Sequence, residues 1–409
     1  MTDAAPRTLR AALDQLPTLP VPPHARARRG RLADHIRATE GLVLRADDPG
    51  ALAAARASLG WDDAALHRFV ESGFVIHTSP HASMNAFGQR ACYSWLARRV
   101  MDGSAREFLR PIQLRTSLTH NNLGDLKWRP YAWWRRDGGG RVVKDSLFSR
   151  NHAVRHKTLL SQPPVDLLAI TLSTTDTHAA RLASVARNHA YQCVLYRAAL
   201  EHLGGCTAPG GAVEVPFDLL NRFALADSEV RPILVAAARA SGMKVIGPDG
   251  ELAAVPDPGD LTPASGAPTQ YVGSNEVNFV LTYLLAPGVV IGGSHMAEYA
   301  PAMHGRIHAL YASLGLDLPV PSLLPVVRFP VDHAMPVDPE GRRVLDASSV
   351  PNTLAIAVAD HGAGLARLFD RLLDEPAGQV LGAVAVFGGA GTERVSGQVL
   401  RTAREQPGL

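Results

Sequence analysis

Apolar positions recur with a helical period along most of this chain. The pattern predicts helices near 29–46, 50–58 and 62–72, from Met84 to Met101, and from Thr177 to Leu203, where Gly204-Gly205 forms the cap. Further helices are expected over 228–241, from Val277 to Leu285, from Ala297 to Leu314, and over 353–374 and 392–404. Strand signals are few and short, and Leu381 to Phe387 fits either a strand or a helix. Between the helices, residues 1 to about 28 are proline-rich and read as an extended lead-in. Residues 106–145 are broken by Leu109-Arg110-Pro111, Trp128-Arg129-Pro130 and Gly138-Gly139-Gly140 and read as irregular. The segment 247–270 reads as a loop, Pro287 to Gly293 as a divider between helices, and 316–345 as a second long irregular stretch. There is no internal repeat. The fold class implied is mainly α, with an N-terminal region of partly irregular and helical character over 1–150 and a helical domain over 151–409.

Composition narrows the function classes. Hydrophobic residues make up 46% and charged residues 19% of the 409, which suits a globular protein with a sizeable core. A formal charge of +3 with no long basic run argues against a nucleic-acid partner. Arginine outnumbers lysine 37 to 4, which reflects GC-rich bacterial coding rather than chemistry. The three cysteines, Cys92, Cys193 and Cys206, have neither metal-type spacing nor an even count for a disulfide framework. With no apolar h-region in the first residues and no run of membrane-spanning length, the expectation is a soluble cytoplasmic protein.

The chemistry-bearing feature is near the C-terminus. Leu354, Val358, His361, Leu365, Leu368 and Leu372 fall on one helix face, which puts an imidazole in an apolar row where it needs a hydrogen-bond partner or a metal. Gly362 and Gly364 leave room beside the ring, and the turn Gly388-Gly389-Ala390-Gly391-Thr392 comes next. By itself this is equally the pattern of a core histidine bonded to a backbone carbonyl, followed by a helix capped by Thr392.

Other spacings carry less. His152–His156 and His304–His308 have the i,i+4 separation that chelates zinc on a helix, without the glutamate a zincin needs. His77-Thr-Ser-Pro-His81 contains a proline that disfavours helix. Lys157 lacks the strand and aspartate of a pyridoxal phosphate site, and Gly292 to Met296 lacks the second glycine of a nucleophile elbow. Ala359-Asp360-His361-Gly362 is similar to an alkaline-phosphatase metal motif, yet no further histidine comes after it.

Four segments taken in order resemble the heme-dependent indoleamine and tryptophan 2,3-dioxygenase superfamily, in particular its divergent pyrrolnitrin-pathway branch of monodechloroaminopyrrolnitrin synthase type. Ser173-Thr174-Thr175-Asp176-Thr177-His178 is similar to the entry into the distal-pocket helix and places Ser184 where a distal serine would be. Val230-Arg231-Pro232-Ile233 is similar to the Arg-Pro-Phe segment. Tyr271 to Val277, continuing through Tyr299, Pro301, Met303, His304 and Arg306, is similar to the Tyr-Met-Pro-x-x-His-Arg run, with Gly305 inserted and Ala300 in place of methionine. His361 and the Gly388 to Thr392 turn occupy the places of the proximal histidine and the glycine loop, which here lacks its first threonine. The likeness spans roughly 170–404.

The resemblance implies heme b with His361 as the axial iron ligand, bound through a neutral imidazole nitrogen. Gly388, Gly389, Gly391 and Thr392 would close over the cofactor edge with backbone N–H groups. Arg231 would hold an amino-acid carboxylate bidentately, and Ser184 would bond O2 or an indole N–H. The implied substrate is tryptophan or a related aromatic amino acid with O2 or peroxide, and large helical heme proteins of this sort often pair as homodimers. Two alternatives stay open: a cofactor-free helical lyase, cyclase or binding protein of secondary metabolism, and zinc on a histidine pair.

Overall fold

The computed structural model describes residues 23–72, 75–78, 112–116, 132–136, 142–146, 211–246, 252–262, 270–285, 288–291 and 296–316, together with Val185, Val194, Leu195 and Ala198. These residues are mostly helical. In chain order the helices are α1 (Pro23–Val43), α2 (Pro49–Leu59), α3 (Asp63–Glu71), α4 (Phe217–Ala226), α5 (Arg231–Ser241), α6 (Asn275–Leu285) and α7 (Met296–Ser313). The strands are β1 (Val75–Thr78), β2 (Ile112–Arg115), β3 (Ala132–Arg136), β4 (Val142–Ser146), β5 (Ala212–Glu214), β6 (Met243–Ile246), β7 (Leu252–Ala254), β8 (Gln270–Gly273) and β9 (Gly288–Ile291).

The first three helices obey local rules. In α1, Ala25, Arg29, Leu32, Ile36, Glu40 and Val43 are buried at three- and four-residue steps, one face of a helix. Asp48 caps α2 by accepting from the Gly50 N–H at 2.9 Å, and Pro49 sits in the first turn, where its missing N–H costs nothing. Gly60 ends that helix in the left-handed region at φ 67. Asp62 then caps α3 by accepting from Ala65 N at 2.9 Å, and Ala65, Leu66 and Phe69 face inward. α4 has no such signature: it starts after Pro216 without a side-chain cap, and every residue from Phe217 to Leu225 is buried. Its polar residues Asp218, Asn221 and Arg222 share one face but are buried with the rest, so that face marks no solvent side.

Four strands form a parallel sheet in the order β5-β2-β1-β9, with Val75 opposite both Ile112 and Gly288, and Arg115 opposite Glu214. β7-β6-β8 form a separate antiparallel sheet, and β3 and β4 an antiparallel pair. The parallel sheet takes two strands from each side of residue 150. α1 packs on α3, α4 and α6, while α5 packs on α4 and α6. Leu32, Ile36, Phe69, Leu234, Val280 and Leu284 are among the residues that fill this core. Tyr311 joins α7 to it by donating to Val280 O at 2.6 Å.

Several expectations are met. The helices expected at 29–46, 50–58, 62–72, 228–241, 277–285 and 297–314 are α1, α2, α3, α5, α6 and α7. Val194, Leu195 and Ala198 are helical and buried within the span 177–203. The helices expected at 84–101, 353–374 and 392–404 lie outside the described residues.

Others need correction. The extended lead-in to residue 28 ends earlier, because Pro23 occupies the first turn of α1. The irregular stretch 106–145 carries β2, β3 and the start of β4, the loop 247–270 carries β7, and the divider 287–293 carries β9. Strands of three to five residues hold only one or two repeats of a two-residue alternation, a weak signal beside the prolines and glycines around them. Among the described residues no helix is long and apolar enough to cross a membrane.

Candidate functional site

Of the residues singled out by the sequence, Arg231 is described. Ser184, His361, Gly388, Gly389, Gly391 and Thr392 lie outside the described residues. Arg231 is the first residue of α5, and its Nη2 donates to the carbonyls of Gly259 at 3.1 Å and Leu261 at 2.7 Å. Two neighbours bind the same stretch of chain. Arg239, on the last turn of α5, pairs with Asp257 at 3.0 Å, and the Tyr271 hydroxyl donates to Thr262 O at 2.9 Å. Asp257 in turn accepts from Gly259 N at 2.8 Å. That backbone bond, aided by Arg239, holds the Asp257 carboxyl below its usual pKa. Segment 257–262 is therefore a strap pinned at three points, and Arg231 braces it through backbone acceptors. The Arg231 and Tyr271 segments, separate in sequence, meet here because β8 returns along β6, the strand just after α5 (Val245 opposite Tyr271).

Beneath the strap is a buried polar set. Asp218 accepts from Tyr271 N at 2.7 Å and pairs with Arg222 at 3.0 Å, and the Arg222 guanidinium lies 5.2 Å from the centre of the Tyr271 ring. Asn221 donates to Tyr271 O at 3.1 Å, and Asn278 donates to Gly273 O at 3.3 Å. These bonds give the strand β8 a fixed seat on α4 and α6. The bonds to Tyr271 and Gly273 go to backbone atoms, so they rigidify rather than react.

A second locus lies at the carboxyl edge of the parallel sheet. Going from β1 the chain adds β2 and then β5 on one side, and β9 is laid on the other side of β1. The boundary between β1 and β9 is thus a topological switch point, the place where open parallel sheets leave a crevice for ligands. The last register row reads Glu214, Arg115, Thr78, Ile291 across the four strands. Arg115 Nε lies 3.3 Å from Glu214 Oε2, and both side chains are only 3% exposed. Val215 N donates to Arg115 O at 2.7 Å, and the Trp61 indole donates to Glu214 O at 2.7 Å. Sequence reasoning missed this row because β2 falls in the stretch read as irregular. The alternations Ile112-Gln113-Leu114-Arg115 and Val213-Glu214-Val215 are the signals that could have found it.

α1 meets α4 and the 227–229 turn through charged groups. Arg28 pairs with Glu229, and Arg31 bridges Asp227 at 2.5 Å and Glu229 at 2.5 Å. Burial opposes ionisation of Asp227, but the bonds from Arg31 and the backbone outweigh it and hold its pKa low. His35 lies edge-on to Phe223 with ring centroids 5.8 Å apart. Burial, and then the charge of Arg222, pull its pKa down to about 4 from 6.5. Between those values the unfolded chain holds a proton on this imidazole that the folded chain does not, so stability rises with pH across that window. The urea midpoint of the wild type should fall as pH drops from 6.5 to 4, and His35→Gln should flatten that part of the profile. An unchanged slope in the variant would reject this account.

No group of three or more His, Cys, Asp or Glu side chains among the described residues is arranged to hold a metal ion. No family model and no characterised protein matches the sequence of this chain.

Proposed function

We propose that this chain is a heme-dependent oxidoreductase, an oxygenase or oxidative rearrangement enzyme acting on tryptophan or a related aromatic amino acid in bacterial secondary metabolism. The observation that carries the reading is the order of four segments that ends with His361 in an apolar helical row and the Gly388 to Thr392 turn. The meeting of the Arg231 and Tyr271 segments at the 257–262 strap is compatible with it. Heme, when bound, would supply the activation of O2 or peroxide. His361 would hold the iron, and the 388–392 turn would cover the cofactor edge. With two carbonyls already on its Nη2, Arg231 serves this reading by shaping the strap, and a direct hold on a substrate carboxylate would fall to its remaining N–H groups.

The test is a visible spectrum of the full chain purified with heme supplied, with and without L-tryptophan. The expected result is a Soret band that L-tryptophan shifts and that His361→Ala abolishes. No Soret band, or one untouched in the variant, overturns the reading.

A second reading is favoured by a separate observation. The parallel sheet with its switch point between β1 and β9 is a ligand platform that a helical heme pocket does not require. On this reading the protein is a cofactor-free enzyme or binding protein that takes a small molecule over the carboxyl ends of those strands. It predicts that His361→Gln folds and binds that ligand like the wild type, and that added heme produces no Soret band.

A further inference from the structure

The buried face of α1 contains one residue that does not belong to an apolar row. Arg29 lies between Ala25 and Leu32, and it is 0% exposed. Among the described residues no carboxylate pairs with it. Its guanidinium instead donates to three backbone carbonyls, with Nε bonded to Leu285 O at 3.0 Å and Nη1 bonded to Phe69 O at 2.8 Å and Ser72 O at 2.7 Å. The Phe69 ring lies beside it, 5.8 Å from Cζ to the ring centre. Burial lowers the pKa to about 10, which leaves the group charged at neutral pH.

The three acceptors share a position in the fold. Phe69 and Ser72 are at the C-terminal end of α3, and Leu285 is the last residue of α6. Carbonyls there have no partner within their own helix, and both helix dipoles present their negative ends to the cation. The geometry meets the buried charge at Nε and Nη1 with backbone carbonyls in place of a counter-ion, and leaves Nη2 without a hydrogen-bond partner among the described residues.

Both helices lead directly into strands of the parallel sheet. Three residues after Ser72 the chain enters β1 at Val75, and three residues after Leu285 it enters β9 at Gly288. Val75 and Gly288 are register partners in that sheet. Parallel neighbours have no tight turn to set their offset, and these two are far apart in sequence. A slip of one residue moves a strand by about 3.3 Å, more than a hydrogen bond tolerates. The planar guanidinium holds Nε and Nη1 at fixed relative positions, so it fixes the relative height of the two chain entries.

We propose that Arg29 is the register latch of the β1–β9 pair: a single buried guanidinium on α1 bridges the two helix ends that feed these strands and thereby sets their alignment at the switch point. The role is one of positioning, and it holds whether or not the chain carries heme.

The test is hydrogen–deuterium exchange of the full chain, read by peptide for β1 and β9 against the antiparallel sheet β6–β8, in Arg29→Met, Arg29→Lys and the control Arg31→Met. In Arg29→Met, exchange in β1 and β9 is expected to rise by tenfold or more relative to β6–β8. Arg31→Met, which removes a bridge to Asp227 and Glu229 from the same helix, should leave the ratio unchanged. Should Arg29→Met fail to fold, Arg29→Lys decides: it keeps the charge and loses the rigid fork, so it should fold with the same selective rise, reduced in size. Equal loss of protection in both sheets would show a general stabilising role and overturn the latch, as would β1 and β9 protection unchanged in either folded variant.

Discussion

Arg115→Met is expected to destabilise the protein by about 3–5 kcal/mol, because it takes the opposite charge away from the buried Glu214 carboxylate. Both members of the pair are 3% exposed, with 3.3 Å between Arg115 Nε and Glu214 Oε2. Ionised groups taken out of water lose several kcal/mol of hydration each, and their mutual attraction returns that only while both are present. The double variant Arg115→Met, Glu214→Leu removes the desolvation cost together with the attraction, so it should recover most of the loss. Urea unfolding of wild type, both single variants and the double variant closes the cycle. A double variant as unstable as the sum of the singles would mean that the two side chains contribute independently. The backbone bonds from Val215 N to Arg115 O and from the Trp61 indole to Glu214 O survive these changes. A remaining deficit would therefore come from the two side chains and not from these backbone bonds.

Gly60→Ala should be comparably damaging, at about 2–5 kcal/mol. Gly60 has φ +67, and a Cβ there would stand 2.0 Å from Ala212 O. The left-handed backbone alone costs a non-glycine residue about 1–2 kcal/mol, and the clash falls on backbone of β5 that cannot swing aside. The same substitution at Gly30, inside α1 with nothing within 4 Å, should raise stability by up to about 1 kcal/mol through helix propensity. Thermal melts of the two variants should therefore move in opposite directions. A Gly60→Ala melt within a degree of wild type would contradict the close approach of this turn to β5.

How much of this was legible in the sequence depended on the kind of signal. Helices announced by local chemistry were readable: Asp48 before Pro49, Asp62 before the Ala65, Leu66, Phe69 face, and the periodic runs of α5, α6 and α7. Elements defined by what surrounds them were not. α4 starts without a side-chain cap and buries even its polar face of Asp218, Asn221 and Arg222, and the parallel strands are three or four residues long, so their alternation is brief. Pro23 reads like the prolines before it, because a first-turn proline and an extended proline have the same local signature.

The candidate site divides in the same way. Arg231 stood out through its motif, yet its acceptors are the carbonyls of Gly259 and Leu261, and no side-chain pattern encodes a backbone acceptor. Arg115, Glu214 and Arg29 belong to no motif, because their meaning comes from residues that only the folded chain brings together.

The way Arg29 is seated also has a consequence for synthesis of the chain. Its nearest acceptors along the sequence, Phe69 and Ser72, lie 40 and 43 residues downstream, but Leu285 lies 256 residues on. At translation rates of about 5–20 residues per second, α1 waits roughly 13–50 s after leaving the ribosome before its last anchor has been made. A helix close to the start of the chain is thus locked late, and the seat it fills does not exist until two-thirds of the protein has emerged.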